Sequence, residues 1–226
     1  MGFNVAIDGP AGAGKSTIAK LVAKKTGFIY VDTGAMYRAL AYYFIEKELN
    51  SNDKEKIIKA CSNANISIDY QEDNQQVLLN GKNITSMLRD EEVGRMTSLI
   101  AAIPEVRMHL LKLQRNLASN YDVVMDGRDI GTEILPSAQV KIFLTASVTV
   151  RANRRFLELS KKGIPCDLEE IERDIIQRDY RDTNRAVSPL RQADDAILVD
   201  SSNMSIKEVV KTIASHINLA KSRREA

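Results

Sequence analysis

Gly9-Pro10-Ala11-Gly12-Ala13-Gly14-Lys15-Ser16 fills the spacing G-x-x-x-x-G-K-[ST], between a β-branched apolar run at 3–8 and a helix-forming run from Lys15 to Lys25. Strand, glycine-rich turn and helix in that order form a cradle. The glycines let successive N–H groups converge on anionic oxygens, and the helix start adds the positive end of its dipole. Gly9, Pro10, Ala11, Gly12, Ala13, Gly14, Lys15, Ser16 and Thr17 are therefore expected to hold the phosphates of a nucleotide, with Lys15 on the β and γ groups and Ser16 on a Mg²⁺ ion that accompanies them. The motif does not say whether the terminal phosphate goes to water or to an acceptor.

The rest of the chain repeats the strand-then-helix rhythm. Runs at 3–8, 28–31, 121–126, 139–144 and 196–200 read as strands, separated mostly by segments of helical period, which predicts a parallel, doubly wound sheet. Two stretches depart from it. Residues 65–85 alternate with period two and contain Asn80-Gly81, which predicts a small antiparallel hairpin sheet inserted on the core. Residues 151–191 read as a charged helical pair broken at Lys162-Gly163-Ile164-Pro165, because proline disfavours helix at the residue before it. No 20 to 50 residue repeat interrupts this pattern.

Composition removes several function classes. With 32 basic and 30 acidic residues, 5% aromatics and no Trp, the chain has no basic stripe with interleaved aromatics for a nucleic acid. Its uncharged stretches are too short for a membrane span, and Asp8 falls before any signal-peptide core could form. Cys61 and Cys166, 105 residues apart, offer neither a disulfide scaffold nor a zinc site, so a reducing cytoplasmic setting is expected. Balanced charge favours a monomer.

Arginines and carboxylates gather where a second anionic substrate would need them. After the second strand, Asp32-Thr33-Gly34-Ala35-Met36-Tyr37-Arg38 supplies a helix cap and a free guanidinium. The third strand ends in Met125-Asp126-Gly127-Arg128-Asp129-Ile130-Gly131-Thr132, at the carboxyl edge where such sheets bind ligands; Asp126 could organise Mg²⁺ through water. Arg151, Arg154 and Arg155 share a helix face, as do Arg178, Arg181 and Arg185. Such donors stabilise the charge of a phosphoryl-transfer transition state when they close on it. The chain also lacks a guanine-reading Asn-Lys-x-Asp motif, and together these features favour transfer over hydrolysis.

Gly9 to Thr17, Asp32 to Arg38, Asp126 to Thr132, and Arg178-Asp179-Tyr180-Arg181-Asp182-Thr183-Asn184-Arg185-Ala186-Val187-Ser188-Pro189-Leu190 together resemble the bacterial cytidylate kinases, from residue 3 to about 215. The last two motifs are particular to that family among nucleoside monophosphate kinases. The resemblance implies a three-layer α/β/α core of the P-loop NTPase type with a five-stranded parallel sheet. It divides the chain into a core at about 1–64, 86–150 and 192–226, a monophosphate-binding insertion at about 65–85, and a helical lid at about 151–191.

It also implies the reaction, in which the γ-phosphate of ATP, bound with Mg²⁺, passes to CMP or dCMP to give ADP and CDP or dCDP. By motif position, Thr33, Arg38 and Arg128 hold the acceptor phosphate, and Tyr37 and Gly127 line the same site. Ser98, Arg107 and Asp129 read cytosine, Arg178 and Asp182 bind the sugar hydroxyls, and Arg151, Arg154, Arg155, Arg181 and Arg185 face the transferring phosphates beside Lys15 and Arg128. Thr33 stands where the family often has Ser, which keeps the hydroxyl. A carboxylate at 129 suits the cytosine amine and repels the O4 acceptor of uracil. Two competing readings are a kinase for another small acceptor, such as UMP, AMP or shikimate, and an ATP-binding regulatory module that hydrolyses slowly.

Overall fold

The computed structural model describes residues 2–71 and 74–225. Five parallel strands, β1 (Asn4–Asp8), β2 (Ile29–Asp32), β6 (Val123–Gly127), β7 (Val140–Thr145) and β8 (Ile197–Asp200), form one sheet in the order β2-β6-β1-β7-β8. Each falls within two residues of the run that predicts it. Alternate residues of the central strands feed two cores: Ala6, Val31, Val123 and Met125 join one, Val5, Ile7, Tyr30 and Val124 the other. A strand buried on both faces has no polar side to show, so it reads as a continuous apolar run.

The first core is covered by α2 (Thr33–Glu46), α3 (Lys54–Cys61), α4 (Glu91–Ile100) and α5 (Pro104–Asn120), the second by α1 (Lys15–Thr26) and α8 (Ile206–Glu225). Parallel register sets Ile7 opposite Asp126, Asp8 opposite Gly127 and Asp32 opposite Asp126. The polar residues that end three strands therefore meet at one edge of the sheet, where strand order reverses around β1 and ligands are expected in this architecture.

The antiparallel sheet is present as β3 (Ile66–Gln71), β4 (Asn74–Leu79) and β5 (Lys82–Asn83), with Asn80 and Gly81 both at positive φ in the turn. Residues 72–73 lie outside the described residues, as do positions 1 and 226 at the expected core ends. The small sheet docks on the free edge of β2. The Tyr70 hydroxyl donates to Tyr30 O at 3.2 Å, and the Gln75 side chain takes Asp32 N at 2.8 Å and donates to Asp32 O at 3.3 Å. Side-chain groups thus occupy edge positions that would otherwise be open to another strand.

The charged pair is α6 (Val148–Lys161) and α7 (Leu168–Asn184), which share a small core of Ala152, Leu159, Ile171 and Ile175. The break between them falls where expected, with Gly163 at φ 69° and Ile164 N bonded back to Leu159 O. Helix α7 stops at Asn184, and Arg185 is extended at φ −67°, ψ 142°. The expected shared helix face of Arg178, Arg181 and Arg185 is corrected accordingly: Arg185 reaches inward after the helix has ended. Cys61 and Cys166 are free thiols, and among the described residues no helix is long and apolar enough to cross a membrane.

Candidate active site

A cleft of about 750 Å³ opens along the carboxyl edge of the sheet between the phosphate loop, α2, α4 and the α6–α7 pair. Its first wall is the glycine loop. Gly9 has φ 149° and no room for a side chain, since a Cβ would stand 1.9 Å from Leu144 O. Helix α1 starts from Gly14 in the left-handed region, with no side-chain cap and no acid in its first turn, while Lys24 and Lys25 sit in its last. Its N-terminal amides are thus left for an outside anion. Gly12, Ala13, Gly14, Lys15, Ser16 and Thr17 line the cleft, whereas Gly9, Pro10 and Ala11, expected to bind there too, do not.

Lys15 is buried and its Nζ donates to Pro10 O at 2.7 Å. Burial, followed by the nearby Arg128, holds its ammonium well below the usual lysine range. A charge kept so poorly solvated gains most when an anion arrives. Ser16 Oγ donates to Asp126 Oδ2 at 2.9 Å, and the Tyr30 hydroxyl donates to the other oxygen at 2.8 Å. Burial, with Asp32 adding to it, pushes the Asp126 carboxyl up to about 6. A hydroxyl and a carboxylate side by side are hard oxygen donors, and so small a set suits Mg²⁺, which keeps most of its waters and takes further oxygens from phosphate. Among the described residues no cluster of three or more His, Cys, Asp or Glu could hold a metal without substrate.

On the opposite side Asp32 caps α2 through Ala35 N at 2.9 Å and pairs with Arg38 at 2.8 Å, so the guanidinium expected to be free already has a partner, and Arg38 stays partly exposed in the cleft. The Thr33 hydroxyl donates to Asp126 O at 2.7 Å, so its one proton already has a partner. Gly127 makes this approach possible, because a Cβ there would lie 2.8 Å from that hydroxyl. Arg128 donates to Asp182 at 2.8 Å.

Deeper in, Arg107 bonds Asp129 and also donates to Ala101 O at 3.1 Å, with its guanidinium 5.5 Å from the centre of the Tyr37 ring. Arg185 reaches the second Asp129 oxygen at 3.4 Å. Two polar atoms facing this region are buried without a partner, Ser98 Oγ and Arg178 Nε. Burial, with Arg128 beside it, pulls Arg178 down to about 10, where it is still cationic at neutral pH. Uncompensated buried donors are costly, and a bound ligand relieves them.

The α6–α7 arginines divide into separate tasks. Arg151 is buried and ties both helices to the loop: it donates to Ala11 O at 2.8 Å and Asp179 at 2.6 Å, and Asp179 accepts from Ala11 N at 3.3 Å. Arg154 donates to Ser201 O at 2.8 Å beside Gly14, and Arg155 pairs with Glu158 at 3.0 Å. Arg181 departs from expectation. It is exposed, turned along its own helix toward Gln177 O at 3.4 Å, and does not line the cleft. Sequence reasoning missed Asp179, Gln75 and Asp8, and also Ser201, Met204, Ser205, Ile206 and Val209, which line the cleft too. These last residues belong to no recognisable motif.

A glycine loop opening a helix, a strand-end carboxylate beside its serine, and arginines from a helical pair define a P-loop phosphotransferase. A profile of the cytidylate kinase family matches residues 5–219. The chain is 49% identical over 211 residues to the cytidylate kinase of Caldicellulosiruptor saccharolyticus, covering 93% of each chain, and 51% identical over 215 residues to that of Lactiplantibacillus plantarum, covering 95% of this chain and 94% of the other. The chain belongs to the cytidylate kinase family. An uncharacterized protein from Eubacterium ventriosum shares the fold, with TM-score 0.51 at 12% identity over 96% of this chain and 98% of that one.

Proposed function

We propose that this enzyme transfers the γ-phosphate of ATP to CMP and dCMP, giving ADP and CDP or dCDP in pyrimidine nucleotide metabolism. The observation that carries this reading is a single cleft with the Lys15 loop at one end and the Asp129–Arg107 pair at the other. An ATP triphosphate on the loop and a nucleotide base on Asp129 then bring two phosphates together between Arg38, Arg128 and Arg178.

In the reaction an oxygen of the CMP phosphate forms a bond to the γ-phosphorus as the bond to the ADP oxygen breaks. The attacking group is already an anion, so no strong general base is required. The work left to the protein is alignment and charge neutralisation. Lys15 neutralises the β and γ oxygens, Arg128 and Arg38 hold the acceptor phosphate, and Arg154 and Arg155 approach from the α6–α7 side, while Arg185, expected at the phosphates, is held at Asp129. Ser16 would hold a Mg²⁺ ion accompanying ATP directly and Asp126 would hold it through water, and the ion would supply further charge neutralisation. Arg151 supports the loop through Ala11, and Arg181 is left to contribute only if α7 shifts.

Asp129 accepts from the cytosine N4 amine while Arg107 donates to O2 or N3. Uracil presents an acceptor where the amine would be, and the mismatch both loses a bond and adds repulsion. Arg178 and Asp182 meet the sugar hydroxyls. In this reading the core, the insertion at about 65–85 and the lid at about 151–191 are the working parts. The balanced charge supports a monomer and the free thiols a cytoplasmic setting.

Transfer is tested by following the γ-phosphorus of labelled ATP. The label is expected in the β-phosphate of CDP, one per ADP formed, with ADP release below about one percent of that rate when the acceptor is withheld. Label appearing as inorganic phosphate at the same rate with or without CMP would overturn it.

A further inference from the structure

Asp8 is the last residue of β1, buried to 5% exposure, and no step of the reaction described above uses it. Its two carboxylate oxygens accept from consecutive backbone amides, Oδ1 from Ile130 N at 2.8 Å and Oδ2 from Gly131 N at 2.7 Å, more than 120 residues away along the chain. Those amides open the short helical turn Ile130–Ile134, whose N-cap position is occupied by Asp129 at φ −147°, ψ 27°.

An aspartate at a helix start ordinarily turns its own carboxylate back onto the first free amides. Asp129 makes no such cap. Its carboxylate instead faces Arg107 and Arg185, away from the turn it begins. Asp8 supplies the missing cap from the neighbouring strand, so that Asp129 is released toward the cleft.

We propose that Asp8 is the positioning residue that sets base selectivity, by capping the Ile130–Ile134 turn in place of Asp129 and so aiming the Asp129 carboxylate at the nucleobase. The arrangement is costly, which argues against a role in stability alone. Burial, opposed by the two amide bonds and aided by the nearby Asp129 charge, pushes the Asp8 carboxyl up to about 6. An apolar residue at this strand end would avoid that cost, but it would leave the two amides bare and draw Asp129 back to cap them.

This inference rests on the reading of Asp129 as the base-reading group. The test is Asp8→Asn, whose side chain offers one acceptor to two donors. The ratio of kcat/KM for CMP to that for UMP is expected to fall about tenfold or more, while KM for MgATP stays within about twofold. In the same variant the amide protons of Ile130 and Gly131 should exchange at least about tenfold faster, with that of Val124 in the adjoining strand unchanged. Equal losses for CMP and UMP, with the ratio intact, would overturn the proposal. Asp129→Ala, assayed alongside, separates the two readings. If it leaves the CMP to UMP ratio unchanged, the base-reading assignment fails; if it collapses the ratio and Asp8→Asn does not, only the positioning role fails. Should Asp8→Asn not fold, amide exchange in the unmodified enzyme decides: Ile130 and Gly131 protected as strongly as the central strands support the cap, and fast exchange at both overturns it.

Discussion

Lys15→Met is expected to lower kcat by about a thousandfold or more, some 4 kcal/mol of transition-state stabilisation, while the melting temperature stays the same or rises. Both halves follow from the same geometry. Lys15 is buried with a backbone carbonyl, Pro10 O at 2.7 Å, as its hydrogen-bonded partner, and with Arg128 close enough to disfavour its charge. That cationic group is poorly compensated by its protein surroundings. Methionine keeps much of the apolar stem and removes the unsolvated charge, so folding loses little. The γ-phosphate, however, loses the donor that neutralises it as charge spreads over its oxygens. The measurement is kcat with saturating MgATP and CMP, paired with thermal unfolding. Loss of activity accompanied by an equal loss of stability would indicate a folding defect, and an activity within tenfold of the parent would remove Lys15 from the chemistry.

Asp129→Ala should behave in the opposite way toward stability and selectively toward substrate. Arg107 and Arg185 both converge on this carboxylate, and removing it strands two nearly buried guanidinium groups, at a cost on the order of 3 kcal/mol. The kcat/KM for CMP is expected to fall about a hundredfold, and that for UMP much less, because UMP never gained from the carboxylate. Selectivity is the informative quantity. Equal losses for both nucleotides would show that residue 129 holds the acceptor phosphate or the α6–α7 pair and does not read the base.

Much of the fold was legible because its signals are local. The five sheet strands are β-branched apolar runs, of which β1, β2 and β6 feed both cores, and Asn80-Gly81 adopts the paired positive φ values that its hairpin needs. Asp32 caps α2 through Ala35 N, as its position before the helix suggests. The break at Lys162 to Pro165 also falls between two helices.

The site was less legible, for a physical reason. Ser98 and Arg107 stand inside ordinary amphipathic helices and show no pattern of their own, so only the family resemblance pointed to them. The contacts that hold the site together join residues far apart in sequence: Asp8 with Ile130 and Gly131, Arg151 and Asp179 with Ala11, Gln75 with Asp32. Such pairings leave no periodic mark. Arg181 shows the converse. Its i+3 spacing from Arg178 suggested a shared inward face, but only Arg178 is turned inward, while Arg181 lies in solvent.

Acceptor choice is read most directly by a coupled assay of ADP release with MgATP and CMP, dCMP, UMP, AMP or GMP offered separately. Rapid turnover with CMP and dCMP, slower with UMP by about a hundredfold and absent with the purines, is the predicted result. Turnover indifferent to the acceptor would contradict it, leaving the glycine loop as an ATP site whose surrounding arginines serve some other anion.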